Sequence, residues 1–413
     1  MYFEEGEHMQ MNMCKELCKH FGYCGGCDFQ NLEYEEQLRQ KEAEILKLYK
    51  DIIPFPISII PSPTIWHYRN KIDPVFAPEH FDVPPPPDTP RKTVLGFKKN
   101  RKWYATFQLE ECLIGPEEVP ELINIIRNWY VKHGYEAYNR RTGKGVLKAL
   151  LFRKAKKTND KMVCIITRDL NLHWDDLIEA LSKNLNCKSV YSGLLNRPVD
   201  ISLAEHWQLL YGEPHITELI TIKDKGEIKT WQFNISPASF FQTNTLAAEL
   251  MFQKIYDWVS TIAPEIVFDL YGGMGTIGIV ISPLAKVIYS VDCVPSAIDD
   301  GIKNMKVNNI SNIQFTLSTV RKFLSERVVG KNINLPKDAL VIVDPPREGL
   351  TPKIVKKLLE WQPRNIIYVS CNPKIFSQEL PLLKEKYKVS DSQAYDLFPH
   401  TRHFELLTLL TAK

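Results

Sequence analysis

The chain has 413 residues, 44% hydrophobic and 24% charged, an ordinary globular composition with length for two or three domains. Wholesale disorder and fibrous structure are excluded, and no apolar run approaches the roughly 20 residues of a membrane span. Lysine and arginine (52) exceed aspartate and glutamate (49) by three, so nucleic-acid binding has to come from a local patch, not from overall charge.

In chain order, the first segment, MYFEEGEHMQ, is acidic and polar, unlike a secretion signal, and points to a cytoplasmic protein. Nine cysteines, an odd number without such a signal, argue against a disulfide framework and for metal binding or catalysis. Cys14, Cys18, Cys24 and Cys27 crowd into the start of the chain. Helix-like periodicity follows at about 32–50, a proline-containing connector at 51–64, and β-structure from about 65 to 110. That β-region is interrupted by FDVPPPPDTPRK, an extended exposed loop, and is followed by Cys112. An amphipathic helix is expected at 117–138, then two strands, GVLKALLFRK and KMVCIITRD, joined by the turn KKTND.

The last third changes character. SPASFFQTN opens a helix to about 260, and strand-like runs (IVFDLY, VIYSVD, ALVIVDPP, NIIYVSC, FELLTLL) alternate with helical segments as in βαβ units. We therefore expect an α/β chain in three regions: a cysteine-rich part with β-structure (1–115), a central α/β part (116–235) and a Rossmann-like domain (236–413). In VFDLYGGMGTIGIVIS a strand ending at Asp269 runs into glycines 272, 273 and 275 and then a helix. The spacing is not the dinucleotide fingerprint; it suits an adenosine-type cofactor without a pyrophosphate, notably S-adenosylmethionine. Asp292 ends the next strand, where an acid can accept from a ribose diol. Glycine-rich βα turns are common in any doubly wound sheet, so this turn alone leaves the chemistry open. Asp344 and Cys371 stand at the ligand-side ends of two later strands, and there the cysteine reads as a nucleophile more than as an inert core thiol.

SPASFFQTN, DLYGGMGTIG, VDPPREGL, YVSCNP and DLFPHTRHFE, in this order over 236–413, closely resemble the RNA 5-methyluridine methyltransferase family. Two departures are visible: Gly272 stands where the family usually has cysteine, and Thr276 where asparagine is frequent. The resemblance implies methyl transfer from S-adenosylmethionine to C5 of a specific uridine in tRNA or rRNA. Cys371 would add to C6 of uracil to make C5 nucleophilic, and Glu405 would be the general base that removes the C5 proton. Such a thiolate calls for a lowered pKa. Gln242, Tyr271, Thr276, Asp292 and Asp344 would contact the cofactor, with Thr319 a weaker candidate and Arg347 either a substrate contact or a surface ion pair.

Cys18-x5-Cys24-x2-Cys27 with the distant Cys112 supplies four thiolates, the number for an iron–sulfur cluster or a structural zinc. The spacing resembles the motif of family members with a [4Fe–4S] centre. Zinc is the rival occupant, four free thiols the bland reading, and Cys14 a substitute for Cys18. From Arg140 to Lys157 eight basic residues occur without an acid, a candidate RNA surface or merely a solvated hairpin face. Arg69 and Lys71 in HYRNKID are further RNA candidates, and Phe240 and Phe241 would either stack on a base or pack internally. Many relatives carry an additional N-terminal β-barrel for RNA, and the residues before Cys18 leave no room for one, so RNA grip is expected from the central part; no protein partner is inferable and a monomer is expected. Two other readings compete. An amino-methyltransferase would follow DPP with a stacking aromatic, where this chain has Arg347; a non-catalytic RNA-binding protein has no use for Cys371 and Glu405.

Overall fold

The computed structural model describes residues 17–413 except 84, 87–88, 200 and 330–331. The C-terminal part is built on seven strands: β1 (Ile266–Leu270), β2 (Val287–Asp292), β3 (Ile313–Leu317), β4 (Leu340–Val343), β5 (Asn365–Ser370), β6 (Tyr387–Tyr395) and β7 (Glu405–Ala412). Their spatial order is β6-β7-β5-β4-β1-β2-β3, with a two-residue strand, Ile59–Ile60, added parallel to β6. β1 to β5 are parallel to one another, and β7 runs antiparallel to both β5 and β6.

The central strands β1, β4 and β5 are buried on both faces because helices cover both. Val267, Ile342 and Ile367 face a core shared with helices Thr245–Ile262 and Thr276–Ile281. Their neighbours Phe268, Val341 and Ile366 face the opposite core, which takes Phe323, Leu358, Trp361 and Phe376 from the crossover helices. The N-terminal helix Tyr34–Tyr49 joins this second core through Ile45 and Tyr49. The family-like Rossmann arrangement expected from the sequence is thus present, with an N-terminal helix buttressing it.

The central sheet has the order 206–212, 189–194, 161–167, 147–154, 75–78, 93–96, with Lys71–Ile72 also paired to Leu147–Lys154. It takes strands from both sides of residue 115. Helices Val119–Lys132 and Asp175–Leu185 cover one face. The other face, including Leu151, Met162 and Cys164, is continuous with the core under helix Thr245–Ile262. Among the described residues no helix is long and apolar enough to cross a membrane.

Candidate active site

The residues singled out in the C-terminal motifs gather at the carboxyl edge of the large sheet, where ligands bind in open α/β folds. Leu270 and Val343 are paired in register, so Tyr271 and Asp344 leave adjacent strands side by side. Ser370 pairs with Leu406, which puts Cys371 and Glu405 opposite one another at the next register position.

The turn after β1 is shaped by contacts rather than by glycine content alone. Tyr271, Gly273 and Gly275 all adopt positive φ (64°, 55° and 74°). Asp292 Oδ2 accepts from the Gly273 N–H at 3.0 Å, and Oδ1 accepts from Val294 N–H at 2.8 Å, so the turn is fixed from the end of β2. A side chain at Gly273 would project into open space, which leaves that backbone accessible. Gly272 has the opposite reason: a Cβ there would lie 2.2 Å from Ser290 Oγ and 2.8 Å from Asp269 Oδ2. The volume of the family's usual cysteine is therefore taken by Ser290. Burial pushes Asp269 up to about 7, and burial together with Asp269 pushes Asp344 up to about 7. Gln242 is held by its backbone, its carbonyl accepting from Asn70 Nδ2 at 2.8 Å. Thr276 begins its helix, while Thr319 caps helix Val320–Arg327 by accepting from Lys322 N–H.

Cys371 opens into a cleft of 170 Å³ lined by Arg347, Asn372, Lys374, Arg402 and His403 among others. Three of these are cationic, which suits an anionic substrate. Glu405 is buried, and its Oε2 has no hydrogen-bond partner. Burial and then Asp344 raise its pKa well above the ordinary carboxylate value, against the pull of Arg347. The thiol of Cys371 is pushed up to about 12 by burial, Glu405 and Asp344, again opposed by Arg347. The lowered thiol pKa expected from sequence is therefore not met, because burial and then two acids outweigh Arg347. Arg347 is the cation that acts on both groups.

The four cysteines Cys18, Cys24, Cys27 and Cys112 line one cavity of 590 Å³ together with Arg69. Gly26 N–H donates to Cys24 Sγ (3.3 Å) and Gln30 Nε2 to Cys27 Sγ (3.2 Å). Backbone N–H groups of His20 and Leu113 favour the anion at Cys18, and that of Gly115 does so at Cys112, while burial raises all four thiols. Among the described residues no three His, Cys, Asp or Glu side chains form a group able to hold a metal ion. Cys14 lies outside the described residues.

Several RNA candidates are placed elsewhere. Arg69 faces the cysteines, lowering Cys24, Cys27 and Cys112 electrostatically, so it is not an RNA-facing side chain. Lys71 pairs with Asp73 at 3.2 Å. In the Arg140–Lys157 stretch, Lys148 and Arg153 are buried, Lys154 pairs with Glu118 at 2.6 Å and Lys157 with Glu249 at 3.1 Å. Arg140, Arg141, Lys144 and Lys157 are exposed, so the stretch divides between internal and surface charge. Phe241 is buried against Phe233, whereas Phe240 is 65% exposed beside the cofactor-side helix. Sequence reasoning passed over the hairpin 98–104 as an RNA candidate, although its exposed Arg101 and Lys102 stand beside exposed Trp103 and Tyr104.

The profile of the tRNA (uracil-5-)-methyltransferase family matches residues 147–413. The chain belongs to this family. An RNA methyltransferase of Caldanaerobacter subterraneus is 34% identical over 95% of this chain and 84% of its own length. One from Chlamydia trachomatis is 31% identical over 97% of this chain and 99% of its own length. Among solved structures, the tRNA (uracil-54, C5)-methyltransferase of Pyrococcus abyssi, in complex with S-adenosyl-L-homocysteine, superposes with a TM-score of 0.73. It is 28% identical and covers 94% of this chain and 86% of that one. The chain is accordingly an S-adenosylmethionine-dependent RNA methyltransferase of mixed α/β fold.

Proposed function

We propose that the chain methylates C5 of one specific uridine in a structured tRNA or rRNA through a covalent adduct between Cys371 and C6. The observation that carries this reading is the placement of Cys371 across from a buried Glu405, whose Oε2 has no hydrogen-bond partner, at the carboxyl edge of the sheet. Gln242, Tyr271, Thr276, Asp292 and Asp344 are the residues we assign to the methyl donor. The open backbone at Gly273 and the fixed Asp292 carboxylate fit an adenosine-type ligand. When bound, that donor supplies an electrophilic methyl on a sulfonium.

The steps assigned to this chain balance as follows. Sulfur of Cys371 bonds to C6 of uracil, and the C5=C6 electrons move toward the C4 oxygen, so that C5 becomes nucleophilic. After C5 is methylated, the Glu405 carboxylate takes the C5 proton. The C5–H electrons re-form C5=C6, the C6–S bond breaks, and the thiolate is returned. A raised pKa makes Glu405 a stronger base for a carbon-bound proton. The Cys371 proton has to leave before the first step. His403, in the same cleft and with its pKa lowered by desolvation, is our assigned acceptor, with Arg347 stabilising the thiolate. Tritium release from RNA labelled at uridine C5, dependent on S-adenosylmethionine, tests the reading. No release from a full set of cellular tRNA and rRNA overturns it.

We infer further that Cys18, Cys24, Cys27 and Cys112 hold a [4Fe–4S] cluster that organises the fold, with 1–115 and 116–235 together facing RNA and 236–413 transferring the methyl. A zinc ion needs four sulfurs about 3.8 Å apart, from a Zn–S bond of about 2.3 Å. The supporting features for a larger group are the spacious cavity, the N–H donors on the sulfurs and the Arg69 cation beside them. Bound iron and a broad visible absorption that bleaches on reduction support the cluster; zinc without iron refutes it.

A further inference from the structure

The hairpin formed by Lys98–Lys99 and Lys102–Thr106 takes no part in the methyl transfer above, although Lys99, Arg101 and Trp103 also border the cysteine cavity, and its surface is unusual for a solvent-facing strand pair. A half-buried strand alternates inward and outward residues. Here Lys102, Trp103 and Tyr104 are all exposed in succession before Ala105 and Thr106 turn inward. Trp103 is 77% exposed and Tyr104 54%, although both rings carry large apolar area. They meet edge to face at 5.9 Å, and Tyr104 also meets His80 edge-on at 5.3 Å, so the rings are propped without being covered. Four of the five residues 98–102 are basic, and no acid occurs from Arg91 to Leu109. Asp82 pairs with Lys102 at 3.1 Å and offsets part of that charge.

The hairpin is joined to the rest of the site. Asn100 N–H donates to the Tyr23 carbonyl (2.8 Å), Lys99 bridges Cys24 through the backbone, and its ammonium lies 5.0 Å from the Tyr23 ring centre. Three residues beyond Gly25, Asp28 N–H and Phe29 N–H donate to the His400 carbonyl (2.8 and 3.0 Å), in the loop that lines the Cys371 cleft. A ligand held by the hairpin is therefore held at a fixed offset from the nucleophile.

We propose that this hairpin is an RNA-gripping arm. Trp103 and Tyr104 stack on an unpaired base of the substrate, flanking the target uridine, and Arg101 and Lys99 contact its phosphates. Basic residues interleaved with exposed aromatics are what single-stranded RNA recognition needs, because every base offers a π-face and every nucleotide a negative charge. The proposal rests on the RNA methyl-transfer reading for the identity of its ligand.

The test uses the full chain, bulk tRNA and rRNA fragments, and three variants: Trp103→Ala with Tyr104→Ala, Trp103→Phe, and Arg101→Ala. The double alanine variant is expected to weaken RNA binding by on the order of 10-fold and raise KM for RNA. Its kcat at saturating RNA and its S-adenosylhomocysteine affinity stay unchanged. Trp103→Phe recovers most of the binding. Arg101→Ala lowers the slope of log K against log salt by about 1. Wild-type methylation with unchanged RNA affinity and salt slope in the variants overturns the arm while leaving the activity standing. Wild-type RNA binding that depends on the hairpin, without any methyl transfer, supports the arm and sinks the assigned activity. A parallel fall in cofactor affinity and kcat marks the rings as structural and overturns the arm.

Discussion

Replacing Lys41 by methionine probes how the catalytic loop is held. Lys41 Nζ lies 2.6 Å from Asp396 Oδ1, with the two side chains 1% and 0% exposed, and it also donates to the Phe398 carbonyl at 3.1 Å. Tyr34 hydroxyl donates to Asp396 Oδ2 at 2.9 Å, and Phe398 N–H to Oδ1 at 3.1 Å. Methionine keeps the stem and removes the charge, which leaves a carboxylate in the interior with two neutral donors. Breaking a buried pair from one side costs about 3–5 kcal/mol, and those two donors place the expected loss near 3 kcal/mol. Urea unfolding monitored by tryptophan fluorescence measures it. Asp396→Asn added to Lys41→Met should recover more than half of the loss, because the isolated charge is then gone. A loss under about 1 kcal/mol, or an additive double variant, refutes the assignment of this pair as the anchor of the loop.

Cys371→Ala is expected to abolish methyl transfer with RNA affinity unchanged, whereas Glu405→Gln should accumulate a denaturant-stable protein–RNA adduct visible on a gel; turnover without adduct in the second variant removes Glu405 as the base. Burial pulls the His400 pKa down to about 4 from the ordinary histidine value of about 6.5, so the unfolded chain takes up the proton first as pH falls. Stability from neutral His400 is fully present above about pH 6.5 and is lost toward pH 4, about 2 kcal/mol by pH 5. The difference in unfolding free energy between wild type and His400→Gln reports it, and a difference that is flat from pH 7.5 to 5 refutes it. Gly272→Ala should cost about 1–3 kcal/mol through overlap with Ser290 and weaken S-adenosylhomocysteine binding by calorimetry; a neutral result contradicts the close approach.

What the sequence disclosed depends on the range of the interactions. The turn after β1 and the acids at strand ends are local patterns, and their positions at the carboxyl edge follow from strand periodicity. The opposition of Cys371 and Glu405 depends on β7 pairing antiparallel to β5, and only the motif resemblance anticipated it. In the Arg140–Lys157 stretch a charge count along the chain could not separate the cations paired with Glu118 or Glu249 from the exposed ones at 140–144. Arg69 misled for the same reason: Cys112 is distant in sequence and adjacent in the cavity. The pairing of Lys71–Ile72 and Val75–Pro78 with Leu147–Lys154 is equally non-local. The hairpin at 98–104 carried a readable signal, cations interleaved with aromatics, that its plain β-pattern obscured.

The cysteine loop has a mechanical route to the chemistry that requires no electron transfer. Cys27 is followed by Asp28 and Phe29, whose N–H groups both donate to the His400 carbonyl. Asp28 also faces Arg402 at 3.7 Å, and the Arg402 guanidinium lies 5.9 Å from the Phe29 ring centre. Gln37 completes the clamp, its Oε1 accepting from His400 N–H at 2.7 Å. Arg402 and His403 line the Cys371 cleft, and Glu405 follows directly. A group that fixes Cys27 therefore fixes the approach to the base. On the proposed cluster and adduct, Cys27→Ser should lower iron content and slow adduct formation by on the order of 10-fold, the effect of about 1.4 kcal/mol of lost positioning. Its S-adenosylhomocysteine affinity should persist, since the glycine turn is braced from β2 and not from this loop. Rapid-quench measurement of the adduct with Glu405→Gln as background separates the two. An unchanged adduct rate in a chain stripped of iron shows that the clamp holds without the cluster, and a matching loss of cofactor affinity shows that the whole fold, rather than this loop, depends on Cys27.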